Sequence, residues 1–503
     1  MAFEEQGNDR PLMVAVLDVG KTNVKLNAVS TTGDVVETLS VPNPVLPGPP
    51  WQHHDLEGLS GWIFGNLAGL CRRHTIATFV ATGHGSGGML TGPDPDAGDG
   101  TVLPMIDYEQ PLPDAIRDGY APLCGTFFDR GSAVMLSSTH QARQMYWMEC
   151  AFPQDFARAR WFLGIPQYWA WRLSGAAVSE ATFLGAQSHL WNVAKQHWSP
   201  IVTMRAWERL MPPFAKAWTR LGPVRPELAK RHALPDTLHV LAGGHDSSLN
   251  YYRYQAAGLD RLTAVSTGTW IVGFSGQTPL EKLDEHRGMT CNSDVYGHPL
   301  GGALTMGGRE FVHVAGANGT AIDSDRAAIA KIIQQGTMAL PSFGDDDGLF
   351  PGSAGRGKIV GPAPVDSVER TSLAILYTAL LTLECLDALG ANELVVLDGS
   401  FLNNPMYAAL VAALRPECRT QFSLEAYGVA SGAALLATHQ TRTAPATIAL
   451  RQPEDLGSLG PVLLDYAARW RALSHANAMN KPDIAPGSNP DHSAEKKGIS
   501  HAN

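Results

Sequence analysis

The feature that most constrains how this chain can fold is a unit that occurs twice. An apolar run, Leu12–Leu17, ends in Asp18-Val19-Gly20-Lys21-Thr22-Asn23, and a β-rich pattern resumes at Val24–Ser30. Gly268 lies 248 residues beyond Gly20, and the same order of events recurs there. Leu262–Val265 is apolar, Ser266-Thr267-Gly268-Thr269-Trp270 forms a small polar turn, and Ile271–Phe274 is apolar again. Strand, glycine turn, strand at half-chain spacing predicts two halves of related architecture. Around these units, strand patterns at Val35–Val41, Ile76–Thr82, Thr237–Ala242 and Glu393–Leu397 alternate with helical ones at Leu56–Arg73, Thr371–Leu389, Pro405–Leu414 and Val429–Thr438. Alternation of this kind is the mark of an α/β fold.

With 503 residues the chain has ample length to bury two large cores. Its net charge of -10 carries no basic block, which argues against nucleic acid or an anionic membrane as partner. The six cysteines are scattered without a CxxC pair, the usage of a reducing compartment. The opening residues are acidic and polar, unlike a signal peptide, and the long uncharged stretch Leu262–Leu280 is broken by Gly, Ser, Thr and Pro279. The expectation is a cytoplasmic protein with no membrane span.

Gly20-Lys21-Thr22 resembles the end of a Walker A loop, but Ala15 stands where that motif needs glycine, and a strand follows in place of a helix. The remaining reading is a tight hairpin whose Gly20 admits a phosphate, whose Thr22 and Asn23 donate hydrogen bonds, and whose Asp18 holds hydrated magnesium. The competing reading is an ordinary turn. Ser266–Thr269 offers a similar anion cradle without the carboxylate. Gly243-Gly244-His245-Asp246 joins a strand to a helix, where Asp246 is either a helix N-cap or a general base. As a base it is preferred over His245, because phosphoryl transfer asks for no unusual basicity. Gly83–Gly88 does not meet the nucleophile-elbow pattern GxSxG, which leaves His84 as a polyol donor or a structural histidine. Asp398-Gly399-Ser400 with Asn403 reads as an adenosine slot or a plain strand-to-helix turn. Trp161, Tyr168, Trp169 and Trp171 read as core.

Taken together, DVGKTNVK (Asp18–Lys25), ATGHGSGG (Ala81–Gly88), IPQYWAWRLSG (Ile165–Gly175), GGHD (Gly243–Asp246), STGTW (Ser266–Trp270), LDGSFLNN (Leu397–Asn404) and YGVASGAALLA (Tyr427–Ala437) resemble the FGGY family of carbohydrate kinases, in order and over nearly the whole chain. The resemblance implies two actin-like (ribonuclease-H-like) domains around a central catalytic cleft. It places a sugar-binding domain at 10–256, an ATP-binding domain at 257–478 and a polar tail at 479–503. It implies ATP and Mg2+ as cofactors, with Asp246 as catalytic base and Asp18 near the metal. His84, Gly85, Gln167 and His245 would join Asp246 at the sugar. Asp18, Gly20, Lys21, Thr22, Asn23, Thr267, Gly268, Thr269, Gly399, Ser400 and Asn403 would hold the nucleotide. Lys21 and Ser400 depart from the family pattern; Lys21 would reach the γ-phosphate or point outward.

GHDSS and STGTW resemble the rhamnulokinase branch, and DVGKTNVK the fuculokinase branch. A ketose of the L-rhamnulose or L-fuculose type, phosphorylated at its terminal hydroxyl, is the implied substrate; xylulose, ribulose, erythrulose and glycerol are the alternatives. A homodimer is compatible with the family. The rivals from other classes are a non-catalytic sugar- or nucleotide-binding pseudokinase and an ATPase on the same fold. The presence of both Asp18 and Asp246 favours the kinase.

Overall fold

The computed structural model describes residues 11–316, 324–344 and 348–479. Of the tail expected at 479–503, Met479 is the last residue of a helix at Leu459–Met479, and the rest lies outside these residues, as does position 10. The first sheet is built from β1 (Leu12–Val19), β2 (Asn23–Ser30), β3 (Val35–Pro42), β4 (Thr75–Gly83), β5 (Arg220–Pro223) and β6 (His239–Leu241), in the spatial order β5-β6-β4-β1-β2-β3. A short strand β7 (Gly244–His245) also pairs with β4. The central strand β1 runs antiparallel to β2 and parallel to β4.

The second sheet repeats the plan. Its strands are β8 (Leu262–Thr267), β9 (Ile271–Ser275), β10 (Thr290–Ser293), β11 (Pro299–Thr305), β12 (Leu394–Gly399) and β13 (Arg419–Phe422), in the order β10-β11-β9-β8-β12-β13. Here β8 is antiparallel to β9 and parallel to β12. Both halves therefore have a central strand with a hairpin on one side and parallel partners on the other, the actin-like arrangement, built twice.

A central strand buried on both faces must be apolar throughout rather than alternating. In β1, Ala15 and Leu17 face a core closed by helix α1 (Leu56–Arg73), while Val14 and Val16 face the other way. Asp55 caps α1 by accepting from the Gly58 N–H at 2.8 Å, and Arg72 and Arg73 oppose the dipole at its far end. The indole and phenol groups of Tyr168, Trp169 and Trp171 are buried in that first core.

The layer behind Val14 and Val16 is made by two helices from different parts of the chain, of which the first, α2 (Asp246–Ala256), starts at the candidate base. Between them in the chain, and in the other half, lies the long helix α3 (Ser367–Leu389). Beyond it, α4 (Gly428–Leu435) returns to pack on α2 and on the first sheet. A Cβ on Gly432 would fall on the Leu249 carbonyl oxygen, so the two backbones touch at a crossing only glycine permits. Helix α3 is long and apolar enough to cross a membrane, yet 94% of its apolar window is buried inside the protein. It serves as the core helix of the second half, alongside Val265, Leu397 and Tyr407.

Candidate active site

Three strands of the first sheet end side by side. Val19 of β1 pairs with Gly83 of β4, and Gly83 pairs with His245 of β7. The chain continues from those ends into Gly20, His84 and Asp246. The β1 hairpin, the glycine loop and helix α2 thus start from one edge, the carboxyl ends where open α/β sheets bind ligands. Gly243 makes the last approach possible: its φ is +69°, and a Cβ there would overlap Ala81 O.

Asp246 is the first residue of α2 and keeps a quarter of its side chain exposed. Its Oδ1 accepts from Ser247 N and Oγ, and burial pushes its carboxyl up to about 6. His245 is built into the wall. Its N–H donates to Thr182 Oγ1 at 2.9 Å, its Nδ1 lies 3.1 Å from Ser248 Oγ, and burial lowers its imidazole to about 3. Between the two, the carboxylate is the group able to take a proton from a ligand.

The carboxylate of Asp18, whose main chain pairs within the sheet, has neither a hydrogen bond nor an ion pair among the described residues. Burial first, and then the charge of Asp246, push its carboxyl up to about 7, against the pull of Lys25. A buried carboxylate without a side-chain partner, raised further by the charge of Asp246, is one that a divalent cation relieves, so the residues present fit magnesium.

Asp18 lines a cavity of about 360 Å³ together with Lys25, Ser266, Gly399, Ser400, Asn403 and the start of α4. A second cavity, of about 420 Å³, is lined by Gly268, Thr269, Ser400 and the Gly308 end of a helix at Gly307–Ala315. The structure therefore places the first-turn carboxylate and the Gly399–Asn403 turn on one cavity and the second turn on another, with Ser400 lining both. Gly399, Ser400 and Asn403 are exposed.

Other residues expected at the site take different places. The ammonium of Lys21 lines neither cavity; it ion-pairs with Asp107, lies 3.7 Å from Glu109 Oε2 and sits 4.9 Å over the Tyr108 ring. Gln167 is buried, and its Nε2 donates to the Ala242 and Gly243 carbonyls at 3.2 Å, holding the glycine turn from behind. Thr267 spends its hydroxyl on Asp398 O at 2.8 Å and on the Phe401 N–H. Gly85 approaches Ala186 and His245 too closely for a side chain, and its carbonyl accepts from Gln141. Thr22 and Asn23 are exposed at the hairpin tip, where Gly20 N donates to Asn23 O at 3.0 Å.

His84 has both ring nitrogens buried without a hydrogen-bond partner, and burial lowers its imidazole to about 3. Each unsatisfied buried polar atom costs about 1–3 kcal/mol, a deficit that a hydroxyl-bearing ligand removes. The Tyr108 ring stands edge-on to it at 5.4 Å, and Tyr108 is close enough to Asp246 to feel its charge.

Sequence reasoning missed Lys25, Tyr108 and Arg309. Lys25 pairs across the hairpin from Asp18 and makes no ion pair among the described residues. Its register could have been counted outward from the Gly20 turn. Tyr108 lies in an irregular loop that carries no such signal. Arg309 of the second half comes within 3.6 Å of Glu109 of the first.

Residues 13–251 match the family model described as FGGY family of carbohydrate kinases, N-terminal domain, and residues 260–445 match carbohydrate kinase FGGY, C-terminal domain. L-fuculokinase of Escherichia coli (strain K12) is 26% identical over 298 residues, covering 56% of this chain and 61% of that protein. That of Salmonella typhi is 24% identical over 297 residues, with the same coverage. The chain thus spans about three fifths of the length of these curated relatives. A solved carbohydrate kinase from Novosphingobium aromaticivorans superposes with a TM-score of 0.80 at 29% identity, covering 93% of this chain and 99% of that one. Gluconate kinase from Lactobacillus acidophilus shares the fold at a TM-score of 0.77 and 15% identity, covering 94% and 100%. With both family models matched in order, over the two sheets that carry the site, the chain belongs to the FGGY family of carbohydrate kinases.

Proposed function

We propose that the chain transfers the γ-phosphoryl group of ATP to the terminal hydroxyl of a small ketose of the L-fuculose or L-rhamnulose type. The observation that carries this reading is Asp246: a carboxylate with a raised pKa, a quarter exposed, whose charge acts on the unpartnered carboxylate of Asp18. Asp246 takes the hydroxyl proton as the sugar oxygen bonds to the γ-phosphorus and the bond to the bridging oxygen of ADP breaks. His84 and Tyr108 hold the sugar. Lys25 and the Gly20 and Gly268 turns hold phosphates, and Gly399, Ser400 and Asn403 receive the adenosine. Asp18 is the residue that would hold magnesium, which supplies neutralisation of the charge developing on the phosphate oxygens.

The L-fuculokinases among the relatives favour the fuculose type of substrate. The six cysteines are all unpaired thiols, which supports a cytoplasmic site of action. The domain division at 256/257 is retained in this proposal, with sugar on the first side and nucleotide on the second. A panel of L-fuculose, L-rhamnulose, D-xylulose, glycerol and gluconate, read by ADP release, tests it. Release stimulated by a ketose is expected; sugar-independent release, or nucleotide binding without turnover of any member, would favour an ATPase or a pseudokinase.

A further inference from the structure

Lys21 belongs to a closed circuit of contacts that begins and ends in the β1–β2 turn. Asn43 Nδ2 donates to the Gly20 carbonyl at 2.8 Å, and Asn43 N donates to the Thr22 carbonyl at 2.8 Å. Asn43 Oδ1 lies 3.1 Å from His54 Nδ1, and His54 Nε2 lies 3.2 Å from Asp107 Oδ2. The same carboxylate oxygen ion-pairs with Lys21, the residue next to Gly20. The side chains of His54 and Asp107 are only 1% exposed. The other oxygen of Asp107 accepts from the Glu109 N–H at 2.7 Å, which ties the carboxylate to its own loop.

That loop carries Tyr108, whose ring lies under the Lys21 ammonium and against His84. The circuit therefore ties the exposed hairpin tip expected to touch phosphate to the wall expected to touch sugar. An unsupported hairpin tip is among the more mobile parts of a fold. Here it is gripped at two carbonyls and one side chain by a buried network that no ligand contact requires.

We propose that Asp107 is a positioning residue that acts through Lys21 and His54. It holds the phosphate turn and the His84–Tyr108 wall in fixed register, so that hydroxyl and phosphate meet aligned. This rests on the kinase reading above. Alignment is worth testing, because a misplacement of about 1 Å can cost ~10²-fold in rate. The rival is that Lys21 is a phosphate ligand, merely parked on Asp107.

The test compares Lys21→Met, Asp107→Asn and the double variant in the full chain. The readouts are kcat and KM with the best ketose of the panel, Mg·ADP affinity by calorimetry, and amide hydrogen exchange at residues 20–23. Each single variant is expected to lower kcat ~10-fold or more while nucleotide affinity stays within about threefold. The double variant should be no worse than the worse single, since both break one circuit. Exchange at 20–23 should quicken in all three. If Lys21→Met weakens Mg·ADP binding more than about tenfold while Asp107→Asn does not, Lys21 is a phosphate ligand and the proposal falls. It also falls if the kcat losses multiply, or if the singles behave as wild type. Should Asp107→Asn fail to fold, His54→Gln joins Lys21→Met in the same comparison. A wild type that turns over no ketose defeats the kinase reading alone; unchanged exchange at 20–23 in the variants defeats the positioning role.

Discussion

Asp18 and Asp398 stand at strand ends in the two copies of one architecture, and their surroundings have diverged. Asp18 closes the central strand of the first sheet. Its counterpart in the second is Ser266, and the acid sits one strand over, with Asp398 in register beside Ser266. Asp398 accepts from Asn250 Nδ2 at 2.7 Å and from the Tyr254 hydroxyl at 2.8 Å, with Arg253 Nη2 at 3.7 Å. All three partners lie on α2, the helix that begins at Asp246. The carboxylate of the second half is thus consumed in anchoring the base helix, while that of the first is left without a partner beside the base. A duplicated backbone supplied two equivalent edges, and hydrogen bonding decided which one became scaffold and which stayed available to ligands.

The largest effect that should follow is at Asp246. Replacement by Asn is nearly isosteric but removes the proton acceptor, so kcat should fall ~10²-fold or more, with sugar and ATP affinity largely retained. Steady-state kinetics with direct binding measurements checks this; near-wild-type turnover would move the chemistry away from this edge. Asp18→Asn should come next, with kcat down ~10-fold or more and a raised magnesium requirement. A magnesium titration that overlays wild type would make Asp18 a turn residue and erase the contrast.

A third effect is on pH dependence. Burial places the Asp246 carboxyl at about 6, and the base must be ionised to act. The value of kcat/KM should therefore be full above that pH and fall by one decade per unit below it. A rate that stays flat down to pH 4.5 would contradict the assignment.

The smallest effects are on stability, and they should have opposite signs. Asp398→Asn weakens the anchor of α2 and should lower the Tm of the apo protein by a few degrees, on the order of 1–2 kcal/mol. Asp18→Asn should raise it. The folded-state pKa of Asp18, about 7, lies above its ordinary value of 3.8, so the folded protein binds the extra proton between those limits. Stability from this group falls as pH rises through that window and is lowest above about 7. Thermal melts in EDTA at pH 8 would reveal the difference, and melts that shift in the same direction would refute it.

The strands around the two repeated turns were readable because hydrophobic runs and turns are local signals, whereas Thr290–Ser293, Pro299–Thr305 and Arg419–Phe422 of the second sheet were not among the expected strands. Helix α1 follows the expected Leu56–Arg73 limits, set by its Asp55 cap and the loss of apolar spacing after Arg73. The convergence of Asp18, Asp246 and the Gly399 turn was accessible only through family resemblance, since nothing local encodes contacts across half a chain. The destinations of side chains were less legible. The partner of Lys21 lies 86 positions away, in a loop without periodicity. Gln167 and Thr267 sit within recognisable motifs, yet a motif does not say whether an amide or hydroxyl faces the ligand or braces the loop that does.

The crossing of α2 and α4 at Gly432 also bears on how the protein is made. Val14, Val16, Val80 and Leu249 of the first half are covered by Ala430, Ala433, Ala434 and Leu435, which are synthesised almost two hundred residues later than Leu249. A first half emerging from the ribosome has its sheet and its base helix but lacks the lid over that apolar face. It cannot complete its own core by folding in isolation, and exposed apolar surface of this kind is what makes partly folded chains aggregate or recruit chaperones. On the proposed function, catalytic competence is thereby tied to synthesis of the second half, even where every residue proposed to handle the sugar has already been translated.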